Sequence, residues 1–366
     1  MKILLTIATL GAGGAERVMT LLAEEFASRG HQVTLMTLDA PSNDFFTVGP
    51  GVQRVTVGLY GPSMSWIARL TGNLQRIRQI RSVVLSVRPD AVVSFITEMN
   101  VLTIIACARL RIPVLVSERT DPRVHRVGHT WTWLRQITYR HCAGLVVPTQ
   151  AVASWVSPSA AGAPPVTVIP NPVLRPGTPG SRAVPGARPY LFAAGRLIHL
   201  KGFDLLIRAL ALLMRCGADF DLVIAGAGVE EAGLRRLASE LGVSARLRLI
   251  GRVESLESWM AAAFAFVLSS RYEGFPNVLL EALASGTPVI ATDCPSGPRE
   301  ILEGGNCGIL VPCDDPEAIA TAVTTLQANP GLQARLRTLG PRVIERFGVP
   351  AVAAQWESLM QRVILR

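Results

Sequence analysis

Short apolar runs alternate along this chain with longer stretches in which apolar residues recur every three to four positions. KILLTIA (2–8) leads into AERVMTLLAEEFASR (15–29), which Gly30 closes, and QVTLMTL (32–38) follows. AVVSFI (91–96), VLVS (114–117), GLVVP (144–148) and VTVIP (166–170) continue the series, with helical stretches between most of them. A run that is apolar at every position has both faces covered. The alternation therefore predicts parallel sheet with helices packed on both sides. The opening run reads as a buried first strand and not as a secretory leader. It is short, and it feeds a glycine loop and an amphipathic helix without a break.

The pattern fails at 170–189, a proline-rich stretch without periodicity. It restarts with YLFAAG (190–195) and runs through FDLVIAG (220–226), RLRLIG (246–251), AFAFVLSS (263–270), PVIAT (288–292) and GILVP (308–312). This predicts a domain over 1–170, a linker over 171–189 and a second domain over 190–349. A final amphipathic helix within 350–366 has no strand after it. Open parallel sheets bind ligands at the carboxyl ends of their strands, and two such domains on a hinge predict a central cleft.

Of the 366 residues, 49% are hydrophobic and 17% charged, a composition that folds. No apolar run approaches the ~18 residues of a membrane span; the longest, WMAAAFAFVL (259–268), reads as core. The net charge of +9 is uneven, with 16 basic and 9 acidic side chains in residues 1–170 against 20 and 18 in the rest. The first half thus suits an anionic partner: a phosphorylated small molecule or a membrane surface. Nucleic acid fits least, because no aromatic-interleaved basic groove or helix-turn-helix pattern is present. The six cysteines are scattered without a CxxC pair and read as small core residues in a reducing cytoplasm. None of the five histidines has metal-ligand spacing, and no DxD-like acidic pair suggests a divalent ion on the donor, so no metal is expected.

Three stretches carry chemistry. In LGAGGAERV (10–18), Gly11, Gly13 and Gly14 lead from strand to helix and allow close approach of a phosphate to the helix start; a structural turn explains them equally well. In AAGRLIHLKG (193–202), Arg196 and Lys201 follow a strand end. Lys201 and Lys2 are the only lysines among 36 basic residues. A position that departs from the chain's arginine habit suits a compact charge on phosphate; the bland alternative is a solvated loop with a salt bridge to Asp204. In YEGFPNVLLEALASGTPVIATD (272–293), Glu273 precedes a helix beginning near Asn277, and Glu281 lies about one turn inside it. Two carboxylates flanking the N–H groups at 275–279 match the hydroxyl–phosphate–hydroxyl order of a sugar nucleotide; an ordinary acidic first turn is the alternative.

With these motifs the chain resembles the retaining glycosyltransferases of family 4, which have the GT-B fold: two Rossmann-like parallel-sheet domains facing a central cleft. GGAERV, IPNPV, GRLIHLKG, IAGAG, LIGRVE, the Glu-x7-Glu segment and GILVP carry the likeness over the whole chain. The resemblance implies that Arg196 and Lys201 bind the donor diphosphate and that Glu273, with them, is catalytic through contact with the transferred sugar. It further implies that Glu281 holds the ribose and that Gly274, Phe275, Pro276, Asn277 and Val278 line the donor. Gly251, Arg252 and Val253 would lie beside the base, Gly13 and Gly14 would close on the phosphate, and the final helix would cross back onto the first domain.

VSERTDPRVHR (116–126) and TDCPSGPREIL (292–302) resemble bacterial enzymes that extend lipid-linked oligosaccharides, including N-acetylgalactosaminyltransferases. Several of those relatives carry histidine where this chain has Arg119. That departure leaves the role of the position open, and Glu118 and Arg119 are acceptor-side candidates without an assigned catalytic part. Arg69 and Arg76 join them from SWIARLTGNLQRIRQIRSVVLSVR (65–88), where an Ile67, Leu70, Leu74, Ile77, Val84, Val87 stripe accompanies five arginines. That segment is either a solvated basic helix or a surface for anionic lipid or the acceptor's diphosphate; Trp66, Trp131 and Trp133 would lie there or in the core. The expectation is a UDP-sugar donor, a (poly)prenyl-diphosphate-linked glycan acceptor, no cofactor, and a cytoplasmic enzyme bound peripherally to the inner membrane. A non-hydrolysing UDP-sugar epimerase on the same architecture and a non-catalytic membrane-surface binding protein are the rival readings.

Overall fold

The computed structural model describes residues 1–61, 66–119, 128–156, 163–177, 188–253 and 255–365, and over 66–70 the backbone alone. The chain forms two compact units. Unit 1 is Met1–Pro172 with Val349–Arg366, and unit 2 is Val173–Gly348.

Unit 1 is built on seven parallel strands: β1 (Lys2–Ile7), β2 (Gln32–Thr37), β3 (Val52–Thr56), β4 (Ala91–Phe95), β5 (Val114–Ser117), β6 (Gly144–Val147) and β7 (Val166–Val168). Their order across the sheet is β3-β2-β1-β4-β5-β6-β7. Both faces are covered, which is why the strands are apolar at successive positions. Ile3, Leu5 and Ile7 of β1 pack with Val18, Met19, Leu22 and Phe26 of helix α1 (Gly14–Ser28). Leu4 faces the other way, among Ile80 and Val84 of α2 (Trp66–Val87) and Met99 and Leu102 of α3 (Thr97–Cys107).

The final helix, Val349–Ile364, supplies Val352, Ala353, Trp356, Leu359, Met360 and Val363 to the α1 face of unit 1. A polar clip fixes its start. Arg29 donates to Pro350 O at 2.6 Å and to Glu357 Oε2 at 2.8 Å, and His31 Nε2 lies 2.7 Å from Glu357 Oε1.

Unit 2 has six parallel strands: β8 (Tyr190–Ala194), β9 (Asp221–Ala225), β10 (Leu247–Leu249), β11 (Ala265–Leu268), β12 (Val289–Thr292) and β13 (Ile309–Val311), in the order β10-β9-β8-β11-β12-β13. Leu191 and Ala193 pack with the helix Phe203–Arg215, whereas Phe192 and Ala194 pack with Leu279, Leu280 and Leu283. In each sheet the strand order reverses once, between β1 and β4 and between β8 and β11. Loops leaving the two strands there run in opposite directions and open a crevice at the carboxyl ends.

The proline-rich stretch is anchored at its start. Val173 is buried, its N–H donates to Phe347 O at 2.7 Å, and it forms a parallel bridge with Gly348. Residues 178–187 of the expected linker lie outside the described residues.

Residues 66–87 of the basic segment form α2, and the expected apolar stripe meets the core in part, through Val84 and the partly buried Ile77. Ile80 and Val84 are buried, Leu74 is 48% exposed, and the side chains of Ile67 and Leu70 lie outside the described residues. Arg81 Nη1 donates to Ala106 O at 2.8 Å and Ala108 O at 3.0 Å, capping the end of α3. Trp131 is partly buried against the core, whereas Trp133 is 59% exposed.

Trp356 is fully buried and packs on Phe95, with ring centroids 5.9 Å apart. Trp356→Ala is expected to lower stability by ~3–5 kcal/mol, read by urea denaturation. A loss below ~1 kcal/mol would contradict this account of how the final helix is held.

Candidate functional site

The crevice between β8 and β11 collects the cations and carboxylates of unit 2. After β8 the chain passes Gly195 and Arg196, makes a 3₁₀ turn at His199–Lys201, and enters the next helix through Gly202. Gly202 has φ 62°, and a Cβ there would collide with Ser269 O, so the turn lies directly against the exit of β11. The contact is reinforced by Ser269 Oγ, which donates to Lys201 O at 3.0 Å.

Lys201 Nζ donates to Glu273 Oε1 at 2.6 Å, and Ser270 Oγ donates to the same oxygen at 2.6 Å. The lysine side chain is 20% exposed and the glutamate 7%. The lysine predicted for phosphate and the glutamate predicted for sugar thus hold each other. The alternative pairing of Lys201 with Asp204 does not occur, because Asp204 is taken by Arg271. Arg196 is exposed, and its guanidinium makes no ion pair among the described residues.

Arg271 is the residue that the sequence did not single out. Its Nη1 and Nη2 donate to Asp204 Oδ1 and Oδ2, both at 2.7 Å, and its Nε to Asp314 Oδ1 at 2.7 Å. Nη1 also donates to His199 O at 2.8 Å, and the backbone N–H to Leu200 O at 2.9 Å. Burial alone would raise the Asp204 carboxyl, but the Arg271 hydrogen bonds and charge hold it below its ordinary value. Arg271 thereby fixes the two residues just ahead of Lys201.

The helix Asn277–Ala284 begins directly after Pro276. Phe275 is buried and packs toward Phe347, and Ser296 Oγ donates to Gly274 O at 3.0 Å, so the entry loop is held from two sides. Asn277, Val278 and Glu281 are half-buried. Beyond β10, Gly251 O accepts from Gly226 N at 2.7 Å, Arg252 is exposed, and Val253 packs on the core. These positions all lie at the carboxyl rim of the unit 2 sheet.

Unit 1 holds the other candidates. Gly13 caps α1 in an extended conformation, and a Cβ there would collide with the Glu16 carboxylate, which folds over the helix start. Gly14 is the first residue of α1. The phosphate-facing role expected for this loop therefore meets an acidic side chain lying against Gly13.

Glu118 is 1% exposed and well satisfied. Thr97 Oγ1 donates to Oε2 at 2.9 Å, Tyr139 OH to Oε1 at 2.5 Å, and Arg135 Nε to Oε1 at 3.0 Å. Burial, followed by the Glu118 charge, raises the Tyr139 hydroxyl well above its ordinary value. Glu118 is thus held by donors from three other residues. Arg119 is 7% exposed, and burial lowers its pKa to about 9. Arg76 donates to Leu59 O and Asn73 Oδ1, each at 2.9 Å, which ties α2 to the preceding loop. The side chain of Arg69 lies outside the described residues.

Two family models match. One described as "Glycosyltransferase Family 4" covers residues 12–173, and one described as "Glycosyl transferases group 1" covers residues 178–342. The chain is 34% identical over 235 residues to an exopolysaccharide phosphotransferase of Streptomyces coelicolor, a match covering 61% of this chain and 24% of that protein. The chain thus spans about a quarter of that relative's length. It is 23% identical over 364 residues to a Campylobacter jejuni alpha-1,4-N-acetyl-D-galactosaminyltransferase named for a diNAcBac-PP-undecaprenol-linked acceptor, with 99% of each chain covered.

Among solved structures, sucrose-phosphate synthase of Thermosynechococcus elongatus superposes over 100% of both chains with a TM-score of 0.83 at 21% identity. Anabaena HepE in complex with UDP-glucose superposes over 99% of this chain and 100% of that one, with a TM-score of 0.80 at 18% identity. These likenesses establish the fold as GT-B.

Lys201→Met leaves the enclosed Glu273 carboxylate without its cation and is expected to cost ~1–3 kcal/mol in urea denaturation. Adding Glu273→Gln should restore most of that loss, because the uncompensated charge is gone. Additive losses in the double variant would show that the two groups do not act as a pair.

Proposed function

A chain that carries both of these domains on a GT-B fold is a glycosyltransferase, and from that premise we propose what it transfers. The donor is a UDP-linked hexose or N-acetylhexosamine. The acceptor is a hydroxyl of a polyprenyl-diphosphate-linked saccharide or a related glycan in bacterial surface-glycan biosynthesis. The observation that carries the donor assignment is the β8–β11 crevice: Arg196, exposed and without an ion pair among the described residues, leaves the same strand as Lys201, whose pair with Glu273 is held in place by Arg271 and Ser270. The binding of UDP-glucose by the structural neighbour HepE supports a uridine nucleotide. The acceptor assignment draws on the name of the full-length Campylobacter relative.

In this reading the donor diphosphate lies against Arg196 and Lys201. Lys201 has three N–H donors and spends one on Glu273, so it can meet a phosphate without releasing the carboxylate. The second oxygen of Glu273 remains for a sugar hydroxyl, and Glu281 takes the ribose. The acceptor oxygen attacks the anomeric carbon from the face of the departing phosphate, so configuration is retained. As the C–O bond to the acceptor forms, the C–O bond to the diphosphate breaks. The acceptor proton passes to the leaving phosphate oxygen. Arg196 and Lys201 stabilise the charge that develops there, the task a divalent ion performs elsewhere.

Among the described residues no helix is long and apolar enough to cross a membrane. We place the enzyme at the cytoplasmic face of the inner membrane, meeting lipid through the basic surface of unit 1, where Arg78 of α2 and Arg88 just after it are exposed.

The test is a donor screen against a synthetic polyprenyl-diphosphate saccharide, with products read by mass spectrometry. One UDP-sugar should give a single added sugar with an alpha linkage. EDTA should leave the rate unchanged, Arg196→Ala should lower turnover ~100-fold or more, and Glu281→Ala should raise the donor KM. A requirement for a non-uridine nucleotide, an inverted product or near-normal turnover in Arg196→Ala would overturn the reading.

A further inference from the structure

Glu118 and Arg119 are consecutive, yet they meet different surroundings just beyond β5. Glu118 is surrounded by donors. Arg119 lies among Phe95, Asn171 and the final helix: its guanidinium carbon is 4.2 Å from the Phe95 ring centroid and 5.8 Å from that of Trp356. Nη1 donates to Asn171 Oδ1 at 2.5 Å. Nε and Nη2 are buried without a hydrogen-bond acceptor, and no carboxylate pairs with this guanidinium among the described residues. Trp356 Nε1, also fully buried, has no acceptor either.

This is an unusual set of unmet needs. A buried cation without a counter-charge is among the costliest groups a fold can enclose, and its reduced pKa still leaves it charged at neutral pH. The two orphaned nitrogens share one edge of the guanidinium plane. That edge presents two parallel N–H groups, the arrangement that takes two oxygens of one carboxylate or phosphate. Asn171 fixes the opposite end of the plane, and Phe95 supports its face. The cluster lies at the carboxyl ends of β4 and β5, where parallel sheets bind ligands. Ile96, which follows Phe95, is held at φ 75°, a costly backbone conformation for a β-branched residue.

We propose that Arg119, positioned by Asn171 and joined by the Trp356 N–H, is a subsite of unit 1 for the oxyanion of a phosphate-bearing ligand. The subsite stands on unit 1 alone. Assigning its oxyanion to the diphosphate of the acceptor rests on the transferase reading above.

The test uses the full chain with UDP held saturating, so that unit 2 does not compete for phosphate. Binding of farnesyl diphosphate and of inorganic phosphate is measured by calorimetry on the wild type, Arg119→Met, Arg119→Lys and Trp356→Phe. Both Arg119 variants should weaken farnesyl diphosphate at least about tenfold, since lysine keeps the charge but lacks the two-pronged edge. Trp356→Phe, which keeps a ring in the core, should weaken it less. UDP affinity, measured separately, should stay unchanged. Arg119→Met should melt no lower than the wild type, and about 2 °C or more higher if the lone charge strains the fold.

Arg119-dependent binding of farnesyl diphosphate alone assigns the subsite to the acceptor. Dependence in both probes assigns it to any phosphate oxyanion. Unchanged binding of both probes in Arg119→Met would sink the proposal, and so would a Tm several degrees below wild type, which would mark Arg119 as satisfied by the fold itself. Failure of the wild type to bind UDP would count against the transferase reading and leave the subsite standing.

Discussion

A parallel strand cannot be followed by a tight turn into its neighbour, so each connection must climb over one face of the sheet and return. When the strand order also reverses, two successive connections leave adjacent strands in opposite directions and no loop covers the gap between them. Both sheets have one such place, at β1/β4 and at β8/β11. The chemistry of unit 2 depends on the second. The β8 exit brings Arg196 and Lys201, and the β11 exit brings Ser269, Ser270, Arg271 and Glu273. Residues far apart in sequence meet there because the sheet leaves that edge uncovered, and helix packing on both faces keeps the edge in place.

The cations around this edge have divided roles. Arg271 is fully committed, to two aspartates and two backbone carbonyls, and its planar fork suits a fixed scaffold. Lys201 is half committed, with one of its three N–H donors on a carboxylate. Arg196 is uncommitted. Such a gradient sets a rigid, fully bonded scaffold beside charge that is still available. The same division recurs in unit 1, where Arg135 neutralises Glu118 while Arg119 beside it in sequence has no carboxylate partner among the described residues.

Local features of this arrangement were legible in the sequence. Unbroken apolar runs marked strands with two buried faces. The stretch after Glu273 marked a helix beginning near Asn277, and the helix begins at that residue. Features that depend on distant partners were not legible. Lys201 and Glu273 are 72 residues apart, and nothing near either one announces that they pair. Arg76 and Arg81 resembled free surface charge because the carbonyls that engage them, at Leu59 and Ala106, belong to other elements. Arg119 was noticed for its motif, but its missing partner is a property of packing alone.

The order in which the chain is written has a further consequence. Unit 2, Val173–Gly348, interrupts unit 1, whose α1 face is completed only by the final helix. During synthesis at ~5–20 residues per second, the nascent first unit waits roughly 10–35 s with Phe26, Phe95 and their neighbours lacking the side chains of Val352, Trp356 and Met360. The buried bridge between Val173 and Gly348 brings the entry and exit of unit 2 side by side, so that unit can close on itself before the last helix leaves the ribosome. The second domain to fold in space is thus the first to be completed in time, and the exposed face of the unfinished one is the segment that most needs a chaperone.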